Sequence, residues 1–341
     1  MVETLDYIIF IFFLKYINQI YNISFTNGAI IFASSYFARI IGSVLISLSL
    51  RKRANIKLMF STTMLIIGLT SFLIALTPFI YYGIYILPFL RFIQGAGYTL
   101  ELPVSLYNLL AFDGYRSIRH IFIYGCLGFV ISLMLITFLE SVLYLNMKMT
   151  FVIVFLILSV ISFISYIVRK RYNQSFDVIF HTTPLSIDKI KLSVLLFLLS
   201  FSTNILFMNT IISYENHKIT YMLVYTFLMM VVCKIKVSKS YILAAIFLLP
   251  TYLFTVYANV FTVLHLAIIA YLVTCLPTII NMLYTRGASL TYTVLSYNCG
   301  IGCAALFIAA HLYAEKYIIL LLSIVSLTVF IIYIRKYNDY I

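Results

Sequence analysis

Residues 87–110 read LPFLRFIQGAGYTLELPVSLYNLL. Arg91 and Glu101 lie inside this run, which is otherwise long and apolar enough to span a bilayer. A charge near the middle of such a span costs roughly 2.5–3.5 kcal/mol on insertion scales, so it faces other helices or a wet cavity. A carboxylate placed there can take up and release a proton as its surroundings change. A guanidinium can hold a carboxylate in a two-pronged grip. Gly95 and Gly97 in the same span let a second helix approach closely. The structural alternative is that Arg91, near the start of the run, snorkels to an interface. Glu101 would then be a neutral, hydrogen-bonded group in a packed bundle.

Other residues inside apolar stretches could act with these two. Glu3 and Asp6 are three apart and share a helix face. They read either as a proton- or cation-handling pair or as a solvated first turn favoured by the helix dipole. Lys15 lies in the same span. Arg39, in the second span, can pair with Glu3, Asp6 or Glu101, and the sequence does not choose among them. His265 and His311 lie in late spans, where a single histidine serves as a hydrogen-bonded core residue or a proton relay. Asn204, Asn209, Asn281 and Asn298 can join helices by hydrogen bonds or touch a substrate. Tyr297 and Asn298, followed by Gly300 and Gly302, form a polar, small-residue stretch where a helix can pack tightly or bend. The five cysteines show no metal-ligand spacing with histidine and read as buried free thiols.

The elements that must position these groups are membrane helices. The chain has 341 residues, of which 64% are hydrophobic and 10% charged. A soluble domain is about 45–50% apolar and 25% charged. Twelve apolar spans can be placed, at about 5–23, 28–50, 58–77, 82–110, 120–139, 149–168, 191–212, 219–233, 240–257, 259–283, 290–312 and 317–334. The expected fold is all-α, a polytopic membrane protein of about twelve transmembrane helices in two six-helix bundles. Trp is absent, so tyrosine supplies the interfacial aromatic belt.

Loop charge alternates. Of the 23 Lys and Arg, 17 fall after even-numbered spans, and only Lys148, Lys218 and Lys316 lie in the opposite loops. Even-numbered loops and both termini are therefore expected in the cytoplasm. The formal charge of +13 is then a topology signal and not a nucleic-acid footprint. The first span has no basic region ahead of it and no small-residue cleavage site, so no cleavable signal peptide is expected. The longest hydrophilic stretch divides the spans six and six. This predicts an N-terminal half at 1–168, a cytoplasmic linker at 169–190 and a C-terminal half at 191–341, as in a transporter built from two halves.

Several short elements resemble the major facilitator superfamily, and within it the metabolite–proton symporters that include proline/betaine transporters. Glu3-Thr-Leu-Asp6 is similar to an E-x-x-D element at the first span. Ala38-Arg39-Ile40-Ile41-Gly42 is similar to A-R-P-x-G in the second, without the proline. Arg91, Gln94, Gly95 and Glu101 match R-x-x-Q-G followed by a glutamate in the fourth. Tyr297, Asn298 and Gly300 match Y-N-x-G near the eleventh. The sequence departs from the family after the second span. There Ser47, Arg51, Ala54 and Asn55 replace a glycine, an aspartate and G-R-K, and the loop after the eighth span also lacks its aspartate. In the family those aspartates help hold the cytoplasmic side in one state.

The resemblance implies a secondary active transporter that moves a small polar metabolite, of amino acid, betaine or organic acid class, with a proton or cation by alternating access. Glu3, Asp6 and Glu101 would be the protonatable groups, Arg39, Arg91 and Gln94 the charge-balancing or substrate-holding groups, and Asn204, Tyr297 and Asn298 contacts from the second half. The expected partners are a small-molecule substrate, protons and the lipid bilayer. Neither cofactor, metal nor nucleic acid is expected. A monomer in a bacterial inner membrane is expected. The departures support an alternative, a transport-defective binding or structural membrane protein descended from a transporter. An enzyme is not expected, because the cytoplasmic loops offer only scattered Asp113, Asp177 and Asp188 for metal or acid–base chemistry. Nor does a channel filter or ring of charge appear.

Overall fold

The structure, a computed structural model, describes residues 17, 19–23, 25–51, 56–101, 104–105, 115–171, 186–213, 218–232, 259–273, 275–285 and 290–311. Among these the α-helices are α1 Phe25–Arg51, α2 Ile56–Leu76, α3 Gly83–Tyr98, α4 Tyr115–Ser141, α5 Met147–Arg171, α6 Ile187–Ser213, α7 Lys218–Val232, α8 Asn259–Val273, α9 Cys275–Thr285 and α10 Leu290–His311. A 3₁₀ turn, Thr77–Phe79, follows α2. No strand occurs among the described residues. These helices carry nine of the twelve expected spans. Spans 240–257 and 317–334 and most of the first lie outside the described residues.

Helix formation follows from the solvent as much as from propensity. Among the described residues three helical stretches are long and apolar enough to cross a bilayer: Leu58–Phe79, Met147–Arg171 and Ile187–Leu206. On α5 the buried face carries Phe151, Val154, Phe155, Leu158 and Ser162, at spacings of three and four. The opposite face, with Val160, Ile164, Ile167 and Val168, is exposed and equally apolar. A helix that is hydrophobic all round is placed for lipid, not water. Without water, hydroxyls turn back on their own helices, as Thr70 Oγ1 does to the Ile66 carbonyl and Thr203 Oγ1 to the Leu199 carbonyl.

Two spans differ from their expected course. The fourth is not one helix from 82 to 110. After Tyr98 the Thr99 N–H turns to the Ala96 carbonyl at 3.3 Å, three residues back instead of four. The Thr99 hydroxyl lies 3.5 Å from the Gly95 carbonyl, the acceptor that a regular α-helix would give to that N–H. Val104 N–H then bonds to the Leu100 carbonyl at 3.0 Å, which restores the α pattern. The tenth span is carried by α8 and α9.

The contacts divide the chain into two compact units, Met1–Ser105 with Leu127–Phe180, and Leu106–Cys126 with His181–Ile341. In the first unit α2 packs on α5 and on α3, and α1 packs on α3. The α2–α5 pair is antiparallel. Arg169 reaches Phe60 at one end, the Ser159 hydroxyl donates to the Gly68 carbonyl at 2.8 Å midway, and Lys148 meets Phe79 at the other end. Tyr21 donates to Thr77 Oγ1 at 2.6 Å, tying the end of the first span to the 3₁₀ turn. In the second unit α6 is the hub, touching α7, α8, α9 and α10.

Candidate functional site

The first unit holds three polar levels stacked along one face of α3. The face itself comes from the spacing of Leu87, Leu90, Arg91, Gln94, Gly95 and Tyr98, all buried. At the first level the Arg91 side chain, 1% exposed, donates from Nη1 to Gln94 Oε1 at 2.5 Å. Gln94 Nε2 in turn donates to Ser71 Oγ on α2 at 2.9 Å. The guanidinium thus fixes which way the carboxamide points, and the carboxamide joins α3 to α2. All three groups are withdrawn from solvent, where such bonds are worth more than in water.

The second level is built around Arg39 on α1. Its guanidinium carbon lies 5.0 Å from the Tyr36 ring centre and 5.2 Å from that of Tyr98 on α3. Both tyrosines and the arginine are buried. Two aromatic faces stabilise a cation that water does not reach, each contact contributing up to about 2 kcal/mol when desolvated. The level is held by a close crossing of α1 and α3. A Cβ at Gly95 would overlap the Ser35 carbonyl oxygen, so only glycine permits this approach.

The third level is an ion pair at the far end of α3. Arg169 of α5 grips Glu101 with both prongs, Nη1 to Oε1 and Nη2 to Oε2, each at 2.7 Å. Thr63 Oγ1 donates to the same carboxylate at 3.0 Å, and Arg169 Nη1 also donates to the Phe60 carbonyl at 3.0 Å. The Arg169 guanidinium stacks over the Phe60 ring at 3.8 Å. Glu101 therefore pairs with Arg169 and not with Arg39. From Arg91 to the end of α3 at Tyr98 the helix rises about 10 Å at 1.5 Å per residue, and Glu101 lies beyond that end, so the glutamate and Arg91 occupy separate levels.

In the second unit α6 and α10 cross closely, because a Cβ at Gly300 would come within 2.7 Å of the Phe197 carbonyl oxygen and of Ser200 Cβ. Asn204 Nδ2 donates to the Ser200 carbonyl at 2.7 Å, and Asn298 Nδ2 to the Val294 carbonyl at 2.9 Å. Both amides thus engage their own helices four residues back. Tyr297 is half-buried, and His265 of α8 is fully buried. Cys299 and Cys303 are half-buried thiols that form no disulfide among the described residues. No group of three or more metal-type ligands occurs among the described residues. Glu3, Asp6 and Lys15 lie outside them.

The structure adds Ser71, Tyr36, Tyr98, Thr63 and Arg169 to the residues singled out from sequence. Arg169 had a signal: α5 and α3 both end at the side where basic residues gather, so a carboxylate near that end of α3 has an arginine within reach. The tyrosines had none, since aromatic residues fill every span.

No family model and no curated protein sequence matches the chain. Solved structures do. The chain is similar to the E. coli fucose:proton symporter FucP at 12% identity, over 98% of this chain and 97% of that one, with a TM-score of 0.65. A second structure of FucP, a major facilitator superfamily transporter in its outward conformation, gives 0.66 at the same identity and coverage. The proton:xylose symporter XylE, bound to 6-bromo-6-deoxy-D-glucose, gives 0.68 at 10% identity, over 99% of this chain and 94% of that one. The likeness covers nearly the whole chain, and the fold it shows is the major facilitator fold.

Proposed function

We propose that the chain is a member of the major facilitator superfamily and a secondary active transporter. In this reading it moves a small polar metabolite of the amino acid, betaine or organic acid class with a proton or cation, by alternating access between halves at 1–168 and 191–341 joined by the linker at 169–190. The observation that carries the reading is the pair of buried guanidiniums, Arg39 and Arg91, inside one bundle of a transporter fold. Cationic groups held at membrane depth are costly, and a substrate carboxylate offsets that cost while bound. FucP and XylE carry sugars with protons, which supports coupling to a proton. It does not extend to the substrate, because a sugar offers no carboxylate for a guanidinium.

The roles rest on the spans these residues occupy in the sequence and on the resemblance. Arg39, Arg91 and Gln94 hold the substrate's anionic group. Glu3 and Asp6 carry the proton. Glu101 joins the cycle through its exchange with Arg169. Asn204, Tyr297 and Asn298 contribute from the second half. The protein works as a monomer in a bacterial inner membrane, with both termini in the cytoplasm. Uptake into proteoliposomes by an Arg91→Lys variant tests the assignment. KM for a carboxylate substrate should rise by about tenfold, or about 1.4 kcal/mol, with no such rise for its amide analogue. Equal changes for both would remove Arg91 from substrate recognition. The acid-free loop at 51–57 favours the second reading, a binding or structural protein without net transport. Counterflow without accumulation would select it.

A further inference from the structure

Hydrogens are short by one around Glu101. Thr63 Oγ1 of α2 lies 2.8 Å from the Phe60 carbonyl oxygen and 3.0 Å from Glu101 Oε1. A hydroxyl has a single hydrogen, so it serves only one of these acceptors in full. Arg169 Nη1 has two hydrogens, and both are used, on Glu101 Oε1 at 2.7 Å and on the Phe60 carbonyl at 3.0 Å. Nη2 gives one to Glu101 Oε2 at 2.7 Å. Five close donor–acceptor distances are thus served by four hydrogens. A hydrogen shared between two acceptors satisfies each only in part.

A fifth hydrogen fits in one place. On Glu101 Oε1, directed at Thr63 Oγ1, it leaves the Thr63 hydrogen to turn wholly to the Phe60 carbonyl. That carbonyl has two lone pairs and accepts from Thr63 and Arg169 together. Each short distance then has a hydrogen of its own, and no heavy atom has to move. Thr63 and Glu101 are both buried, so water does not compete for the bond between them. The Arg169 side chain is partly exposed and brings the cluster within reach of water. Of the charged groups on the helices around Glu101, Arg169 on α5 is its partner and Arg39 on α1 is held by Tyr36 and Tyr98. Among the described side chains α2 presents no ionisable group there. A proton on Glu101 also weakens both bonds from Arg169, which keeps the Phe60 carbonyl and ring.

We propose that Thr63 is the positioning residue for proton uptake at Glu101, a role that rests on the reading of Glu101 as a proton-binding group of the transport cycle. While the carboxylate is charged, the Thr63 hydrogen points to Oε1. When Oε1 takes a proton from a hydronium ion, Thr63 accepts the new O–H and gives its own hydrogen to the Phe60 carbonyl. One O–H bond forms on Glu101, one breaks in the hydronium ion, and water leaves. The same hydroxyl therefore fits both charge states, whereas Arg169 is held tightly in only one of them.

Infrared difference spectra of the purified full chain, recorded between neutral and acid pH, read the two states without any transport. The carboxyl C=O band that Glu101→Gln removes belongs to Glu101. Thr63→Val keeps the shape of the side chain and removes its hydroxyl, and Thr63→Ser keeps the hydroxyl. The expected result is a shift of the Glu101 band to higher wavenumber in Thr63→Val, as for a carboxyl whose O–H has lost its acceptor. Thr63→Ser should return the band to its wild-type position, which a merely structural role for the hydroxyl would not require. Circular dichroism checks that the variants are folded, and Thr63→Ala carries the same expectation if Thr63→Val is not. An unmoved band in the variant without the hydroxyl would overturn the proposal and leave Glu101 a proton-binding group. If Glu101→Gln removes no band at all, Glu101 takes up no proton, and both the proposal and that reading of Glu101 are overturned.

Discussion

Replacing Glu101 by Gln removes one charge from the two-pronged pair with Arg169 and changes little else in shape. Of the two bonds of 2.7 Å one is lost, since the amide NH2 cannot accept, and the other is weakened; the guanidinium keeps the amide oxygen, the Phe60 carbonyl and the Phe60 ring. The pair is partly shielded, with the Arg169 side chain 22% exposed and that of Glu101 10%. Surface ion pairs are worth about 0–1 kcal/mol, whereas breaking a buried one costs about 3–5 kcal/mol. This site lies between the two, so a loss of about 2 kcal/mol is expected from Glu101→Gln, and a similar loss from Arg169→Gln. The double variant should cost little more than either single one, giving a coupling energy of about 2 kcal/mol. Unfolding in mixed micelles by dodecyl sulfate titration, followed by circular dichroism, measures all four proteins. A coupling below about 0.5 kcal/mol would refute the view that this pair joins α3 to α5. Proton-coupled uptake by the same variants separates the second question. Unchanged coupling in Glu101→Gln would leave Glu101 a structural tie and remove it from the transport cycle.

Three further outcomes follow from the packing. Gly95→Ala should destabilise the first unit by about 1–3 kcal/mol, since its Cβ meets backbone, whereas Gly42→Ala should cost less because its Cβ meets the movable Thr99 hydroxyl; thermal unfolding of the two variants checks the order. Ser159→Ala should lose about 1 kcal/mol, the worth of its bond to the Gly68 carbonyl, and Ser159→Cys should restore little of it, as the same unfolding assay would show. Gln94→Leu removes its bonds to Arg91 Nη1 and to Ser71 Oγ together. It should cost about 1–3 kcal/mol and raise KM more than it lowers maximal uptake, and wild-type kinetics would contradict the proposed role of the first level.

The architecture was legible because lipid imposes it. Long apolar runs bounded by alternating charge leave helices as the only way to satisfy the backbone. The candidate site was legible only in part. Arg91 and Gln94 were found together because a spacing of three places them on one helix face. In the sequence Glu101 looks like a mid-span charge because the apolar run continues beyond it, yet the turn at Thr99 and the partner on α5 give it a level of its own. In the sequence Arg169 looks like a linker charge because the apolar stretch stops at 168, whereas α5 runs on to Arg171. Hydropathy registers where lipid contact ends, not where a helix ends. The Tyr36–Arg39–Tyr98 stack depends on which faces of two helices meet, and no sequence interval encodes that.

The most direct measurement is the uptake of labelled amino and organic acids by proteoliposomes of the wild-type chain, under an acid-outside pH gradient. The account predicts accumulation of at least one carboxylate-bearing solute above its external concentration, abolished by a protonophore and by Arg39→Lys together with Arg91→Lys. Equilibration without accumulation for every solute, or accumulation indifferent to both arginines, would contradict it.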